Sequence, residues 1–132
     1  MSFRAQIRFG TGLAPAHPPA SRDEMLDRLA GPDQIAAAFP QEGYAPRAER
    51  ALEFAAARRD RRQGEAEAAL SERLSRELRR DEFRQMALTL ARGVASPDGL
   101  RERLTWFWAD HFTTVRRRVA MRGAITGYVE DA

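Results

Sequence analysis

The stretch Leu100-Arg-Glu-Arg-Leu-Thr-Trp-Phe-Trp-Ala-Asp-His-Phe112 decides how this chain is read. It holds both tryptophans, two of the seven phenylalanines and one of the two histidines. Projected on a helix, Leu100, Leu104, Phe107, Trp108 and His111 share one face at i, i+4, i+7, i+8 and i+11. Large aromatics bury the most area per residue. The segment is therefore expected to organise the local core, with Phe107 or Trp108 deeper than Trp106, which projects off that face.

Upstream, Ser96-Pro97-Asp98 reads as a helix start, with Ser96 as N-cap, proline in the first position and an acid in the first turn. Before it, Leu70, Leu74 and Leu78 repeat at i+4 and are followed by Phe83, Met86, Leu90 and Val94. This predicts a long helix from about residue 65, packed against the aromatic helix at 97–112. Glu72 with Arg76 and Arg73 with Glu77 form i,i+4 pairs on its outer side. Arg58-Arg-Asp-Arg-Arg62 and Gln63-Gly64 read as a charged break. A preceding helix from Pro46 is expected to carry Ala48, Leu52 and Ala55 inward, with Phe54 alongside, after a connector at 41–45. Residues 32–39 predict a short helix. Ser21, followed by Asp23 and Glu24, predicts an N-cap for a helix bearing Met25, Leu26 and Leu29 and ending at a C′ Gly31. Residues 3–9 predict a short helix with Phe3 and Ile7 inward, stopped by Gly10-Thr-Gly12.

Downstream, Thr113-Thr114 and Arg116-Arg-Arg118 form a polar junction. An amphipathic segment with Met121, Ile125, Tyr128 and Val129 then stops in mid-pattern at Ala132. Residues 1–132 are accordingly expected to be a single helical region, the N-terminal fragment of a larger domain that continues past 132.

Composition agrees with helices. Hydrophobic content is 43%, but 24 of the hydrophobic residues are alanine, which adds helix propensity and little buried area. The expectation is an all-α, irregular multi-helix array with a thin core. All 22 basic residues are arginine, against 19 acids, for a net charge of +3. Arginine does not lose its proton near neutrality, which explains a pI of about 10.4 at so small a net charge. The absence of cysteine excludes disulfides, thiol catalysis and cysteine metal sites. The longest apolar run, Ile35-Ala-Ala-Ala-Phe39, is far short of the roughly 18 residues of a membrane span. The first residues lack the apolar core of a secretory signal, so the cytoplasm is the default compartment.

Candidates for chemistry are few. Gly10 and Gly12 match the first two glycines of a dinucleotide loop, but Pro15 stands at the third, and a structural turn is the favoured reading. His17, in a proline-rich loop, reads as solvated. Asp110 and His111 are the adjacent acid and imidazole, and are the candidates for a catalytic pair, with His111 the candidate metal ligand. Neighbouring helical residues point about 100° apart, so Asp110 does not easily orient His111. A zinc site needs three or four ligands, and the chain has two histidines. The favoured reading makes His111 a core-edge residue bonded to a backbone carbonyl, and Asp110 a surface or cap acid. Trp106, Phe107 and Trp108 are read as packing residues ahead of a sugar platform. The basic runs at 58–62 and 116–122 lack aromatics, so solvated faces are favoured over nucleic-acid contacts. The residues name no cofactor.

Two motifs resemble a bacterial family known as domain of unknown function 1800. Ile7-Arg-Phe-Gly-Thr-Gly-Leu13 is similar to the family's Arg-Phe-Gly-x-Gly opening, through Arg8, Phe9, Gly10 and Gly12. The stretch from Ala91-Arg-Gly-Val-Ala-Ser-Pro97 through Leu100-Arg-Glu-Arg-Leu104 is similar to a Leu-Arg-Glu-Arg run, and Phe107, Trp108, Asp110, His111 and Phe112 to its Phe-Trp-x-Asn-His-Phe sequel. Asp110 departs from the commoner asparagine. The resemblance implies a longer protein with a further motif-bearing helical region, some of whose relatives are exported and encoded beside a sulfatase-like protein. It implies a partner in the remainder of the polypeptide or in another protein. Two functions follow: a scaffold or interaction region, or the N-terminal half of an enzyme, such as a metal-dependent hydrolase, whose site is completed elsewhere.

Overall fold

A computed structural model of the chain describes residues 3–10, 17–111, 127 and 131. It is all-α: α1 is Phe3–Phe9, α2 Arg22–Ala30, α3 Tyr44–Asp60, α4 Glu65–Ala95 and α5 Gly99–His111, with a 3-10 turn at Ala36–Ala38. No strand occurs among the described residues. The chain divides into two compact units, Met1–Pro40 with Leu88–Thr113, and Gln41–Ala87 with Thr114–Ala132.

In the second of these, α3 buries Arg47, Ala51, Phe54 and Ala57. Phe54 and Ala57 close on Leu74 and Leu78 of α4 to form the core. This inward face differs from the expected Ala48, Leu52 and Ala55, and Leu52 is 71% exposed. The cause is polar. Arg47 is turned inward, where its Nη2 donates to Gln85 Oε1 at 2.9 Å, and that contact fixes the rotation of α3. The helix starts two residues before Pro46, which the first turn tolerates because its amide needs no partner. Gly43 supplies no capping side chain, so Asp131 takes the role: its Oδ2 accepts from Tyr44 N at 2.8 Å. A side chain at Gly43 would collide with that carboxylate. Arg50 binds both Glu42 and Asp81. The Arg50 hydrogen bond outweighs burial and holds the Glu42 carboxyl below its ordinary value.

In the first unit, α2 opens on the N-cap expected at Ser21, here completed to a capping box: Glu24 N donates to Ser21 Oγ at 3.3 Å and Ser21 N donates to Glu24 Oε2 at 2.6 Å. Met25 of α2 joins Ala5 of α1, Ala20 and Leu100 in a small core. Gly31 closes the helix by donating to Asp27 O and Arg28 O, in an extended rather than a left-handed conformation. The helix expected at 32–39 is reduced to the 3-10 turn. Asp33 Oδ1 accepts from Ile35 N at 3.1 Å, a local bond that competes with helix formation.

The long helix follows the expected stripe only at Leu74 and Leu78, which are buried; Leu70, Phe83, Met86, Leu90 and Val94 are exposed. From Leu78 to Phe83 is five residues, a turn of about 140°, so the apolar series changes sides there. Ser71, Gln85, Gly93 and the half-buried Arg92 occupy the inward positions. Arg76 and Glu72 pair at 2.6 Å, and Arg73 and Glu77 approach at 3.8 Å.

Candidate functional site

The Leu-Arg-Glu-Arg run at the start of α5 is where the first unit closes. Asp98, rather than Ser96, caps the helix: Arg101 N donates to Asp98 Oδ1 at 3.1 Å. Ser96 Oγ accepts from Asp98 N at 3.2 Å and shapes the turn before it. The next three side chains of the run each reach a different element. Arg101 Nη2 donates to the carbonyl oxygens of Arg28, Leu29 and Gly31 at 2.8, 3.0 and 2.7 Å, covering the C-terminus of α2. Its Nε donates to Asp98 Oδ2 at 2.9 Å. Glu102, the most deeply buried large side chain among the described residues, receives Arg92 Nε on both oxygens at 3.0 and 3.1 Å. Arg103 Nη1 donates to Arg8 O at 2.8 Å and Gly10 O at 3.3 Å, covering the C-terminus of α1.

These contacts place cations where helix dipoles leave partial negative charge and unbonded carbonyls. Arg28 Nη1 donates to Pro97 O at 2.8 Å, in the turn before α5. His17 Nε2 lies 2.9 Å from Ala95 O, at the end of α4, so it is not the solvated histidine expected. Arg92 also donates to Asp33 Oδ2 at 2.5 Å. Burial opposes its charge, but Glu102 and Asp33 outweigh burial and raise the guanidinium above its ordinary value. Burial likewise works against the Asp33 carboxylate, yet the Ile35 amide and Arg92 prevail and lower it. The cleft beside this network, between Asp33, Arg28 and Pro97, is water-sized.

The aromatic residues lie on the opposite side from the one expected. Glu102 and Gly99 are buried and Thr105 and Ala109 half-buried, whereas Leu104, Phe107 and Trp108 are 36, 54 and 49% exposed. Trp106, at 40%, is the least exposed of the three consecutive aromatics, correcting the expectation that Phe107 or Trp108 is the deeper. Its indole lies over Gly93, where a Cβ would sit 2.7 Å from Trp106 Cη2 and nearer still to Cζ2.

Phe107, Trp108 and His111 form a cluster: Phe107 meets Trp108 edge-on at 5.1 Å, His111 stacks on Phe107 at 5.9 Å, and Trp108 meets His111 edge-on at 5.6 Å. His111 is exposed rather than at the core edge, and so is Asp110. Among the described residues, no three His, Asp or Glu side chains are grouped to hold a metal ion. Arg8 is exposed, with its guanidinium 5.6 Å from the Phe9 ring centroid, and Gly10 is buried against Gln6. Gly12 and Phe112 lie outside the described residues.

The two signature segments, Arg8-Phe9-Gly10 and Leu100 to Arg103, thus meet through Arg103, more than ninety positions apart. Sequence reasoning missed Asp33, Arg92, Arg101, Glu102 and Arg103. The signal was the row of small and polar residues Gly99, Glu102, Thr105 and Ala109, which marks a face of close approach.

The arrangement defines an all-α array whose helix ends are closed by arginine side chains. The chain matches the family described as protein of unknown function (DUF1800) over residues 4–132, and belongs to that family. No curated protein and no solved structure matches the chain. No described helix is long and apolar enough to cross a membrane.

Proposed function

We propose that the chain is a helical scaffold or interaction region of a larger bacterial protein, with the aromatic side of α5 as its contact surface. The carrying observation is the exposure of Leu104, Phe107 and Trp108 on the helix that turns Glu102 inward. Contiguous apolar surface of this kind marks a place of association. The remainder of the same polypeptide is the partner that the family resemblance favours.

The test is the double variant Phe107→Ala, Trp108→Ala, made in the 132-residue chain and in the longer polypeptide. The expected result is a modest loss of melting temperature in the chain and a larger one in the longer protein, where the face is covered. Equal losses would overturn this reading. The competing reading, an enzyme half with His111 in its site, has its own signature. His111→Ala would then release bound metal or ligand from the longer protein at an unchanged melting temperature.

A further inference from the structure

The last turn of α3 and the turn that follows it carry Arg58-Arg59-Asp60-Arg61-Arg62, and all four arginines are exposed. No hydrogen bond or ion pair joins any of the four to a described residue, whereas Arg50, Arg76, Arg92 and Arg101 each hold a carboxylate. The acid within the run is directed elsewhere: Gln63 Nε2 donates to Asp60 Oδ1 at 3.0 Å, and Gln63 N to Asp60 O at 2.8 Å. The next acids, Glu65 and Glu67, stand in the first turn of α4, where the helix dipole favours carboxylates. Glu67 folds back on Gly64, where a Cβ would lie 2.6 Å from its Oε2.

The hairpin beneath is braced by Phe54, Ala57, Leu74 and Leu78. The arginines therefore stand exposed at a supported end of the helix pair. No aromatic occurs between Phe54 and Phe83, so the turn has nothing on which bases could stack. Its one amide side chain, Gln63, is held by Asp60. Four exposed arginines without a stacking or base-reading group beside them suit a flat field of phosphates better than a nucleic-acid groove or an extended peptide.

We propose that this turn docks the protein on an anionic lipid surface through headgroup phosphates. The experiment is co-sedimentation of the full chain with phosphatidylcholine vesicles, with and without phosphatidylglycerol, at low and high salt. Binding is expected only with phosphatidylglycerol, and is expected to weaken with salt. Each arginine should contribute about a fivefold change in partitioning. Arg58→Gln, Arg59→Gln, Arg61→Gln and Arg62→Gln together should therefore lower partitioning on the order of 600-fold. The same four positions changed to lysine should retain most of it. These positions are exposed, and an unchanged circular dichroism melt shows that the fold is intact. Absence of phosphatidylglycerol-dependent binding would overturn the proposal, as would equal partitioning by the glutamine variant. Tighter, turn-dependent binding to duplex DNA or to polyglutamate would also overturn it, in favour of a nucleic-acid or protein partner.

Discussion

Arg101 shows how much of this structure rests on single side chains. One guanidinium nitrogen meets three carbonyl oxygens at the end of α2, while Nε of the same group holds Asp98. Lysine keeps the charge but not the planar fork that serves two directions at once. Arg101→Lys is expected to cost about 2 kcal/mol, the scale of hydrogen bonds to charged groups. Urea denaturation followed by circular dichroism reads this directly, and a neighbouring exposed control, Arg22→Lys, should be silent. None of this was legible in the periodicity of apolar residues. An arginine on a helix reads as solvated unless the carbonyls it will meet are known, and those come from residues 28 to 31, seventy positions away.

At the scale of the helix, the elements themselves were legible and their rotations were not. The N-cap at Ser21 and the helical start of α4 follow from local chemistry, and the structure has them where the sequence puts them, whereas the break expected at 58–64 is confined to 61–64 because α3 runs on to Asp60. The inward faces of α4 and α5 follow from long-range polar contacts that override apolar counting. Glu102 and Arg92 draw α5 and the end of α4 together on their polar sides, and Gly93 leaves room for Trp106. Gly93→Ala sets two effects against each other. Alanine in a helix interior gains about 1 kcal/mol over glycine, but overpacking against an aromatic ring costs about 1–3 kcal/mol. The collision with Trp106 is with a ring braced in its helix, so the loss should win, with a net destabilisation of about 1 kcal/mol. A double-mutant cycle with Trp106→Ala checks this, because removal of the ring should turn Gly93→Ala into a stabilising change. The site candidates Asp110 and His111 were legible as residues. Their placement depends on the rotation of α5, which the sequence did not reveal.

For the molecule as a whole, the half-buried Asp33 carboxylate contributes to the response to acid. The Asp33 carboxyl is held below its ordinary value, by the Ile35 amide and Arg92 against the opposing effect of burial. A carboxyl so lowered stabilises the folded chain above its unfolded value, and that contribution is lost as pH falls through its folded one. Melting temperature should therefore hold near neutrality and fall as pH drops below about 4. Asp33→Asn should start lower at neutral pH and show a shallower acid decline. An acid profile unchanged by Asp33→Asn would show that other carboxylates carry the transition.

The carbonyl clasps have a consequence at the other end of the scale. In a lysine-free protein, the side-chain cations that bind helix ends are guanidiniums, which as a class keep their charge well above neutrality. Amine-based contacts of the same design would dissolve near pH 10. The clasps of Arg101 and Arg103 hold the ends of α2 and α1 without any amine, so this fold is closed by planar guanidinium forks rather than by the point charges of lysine.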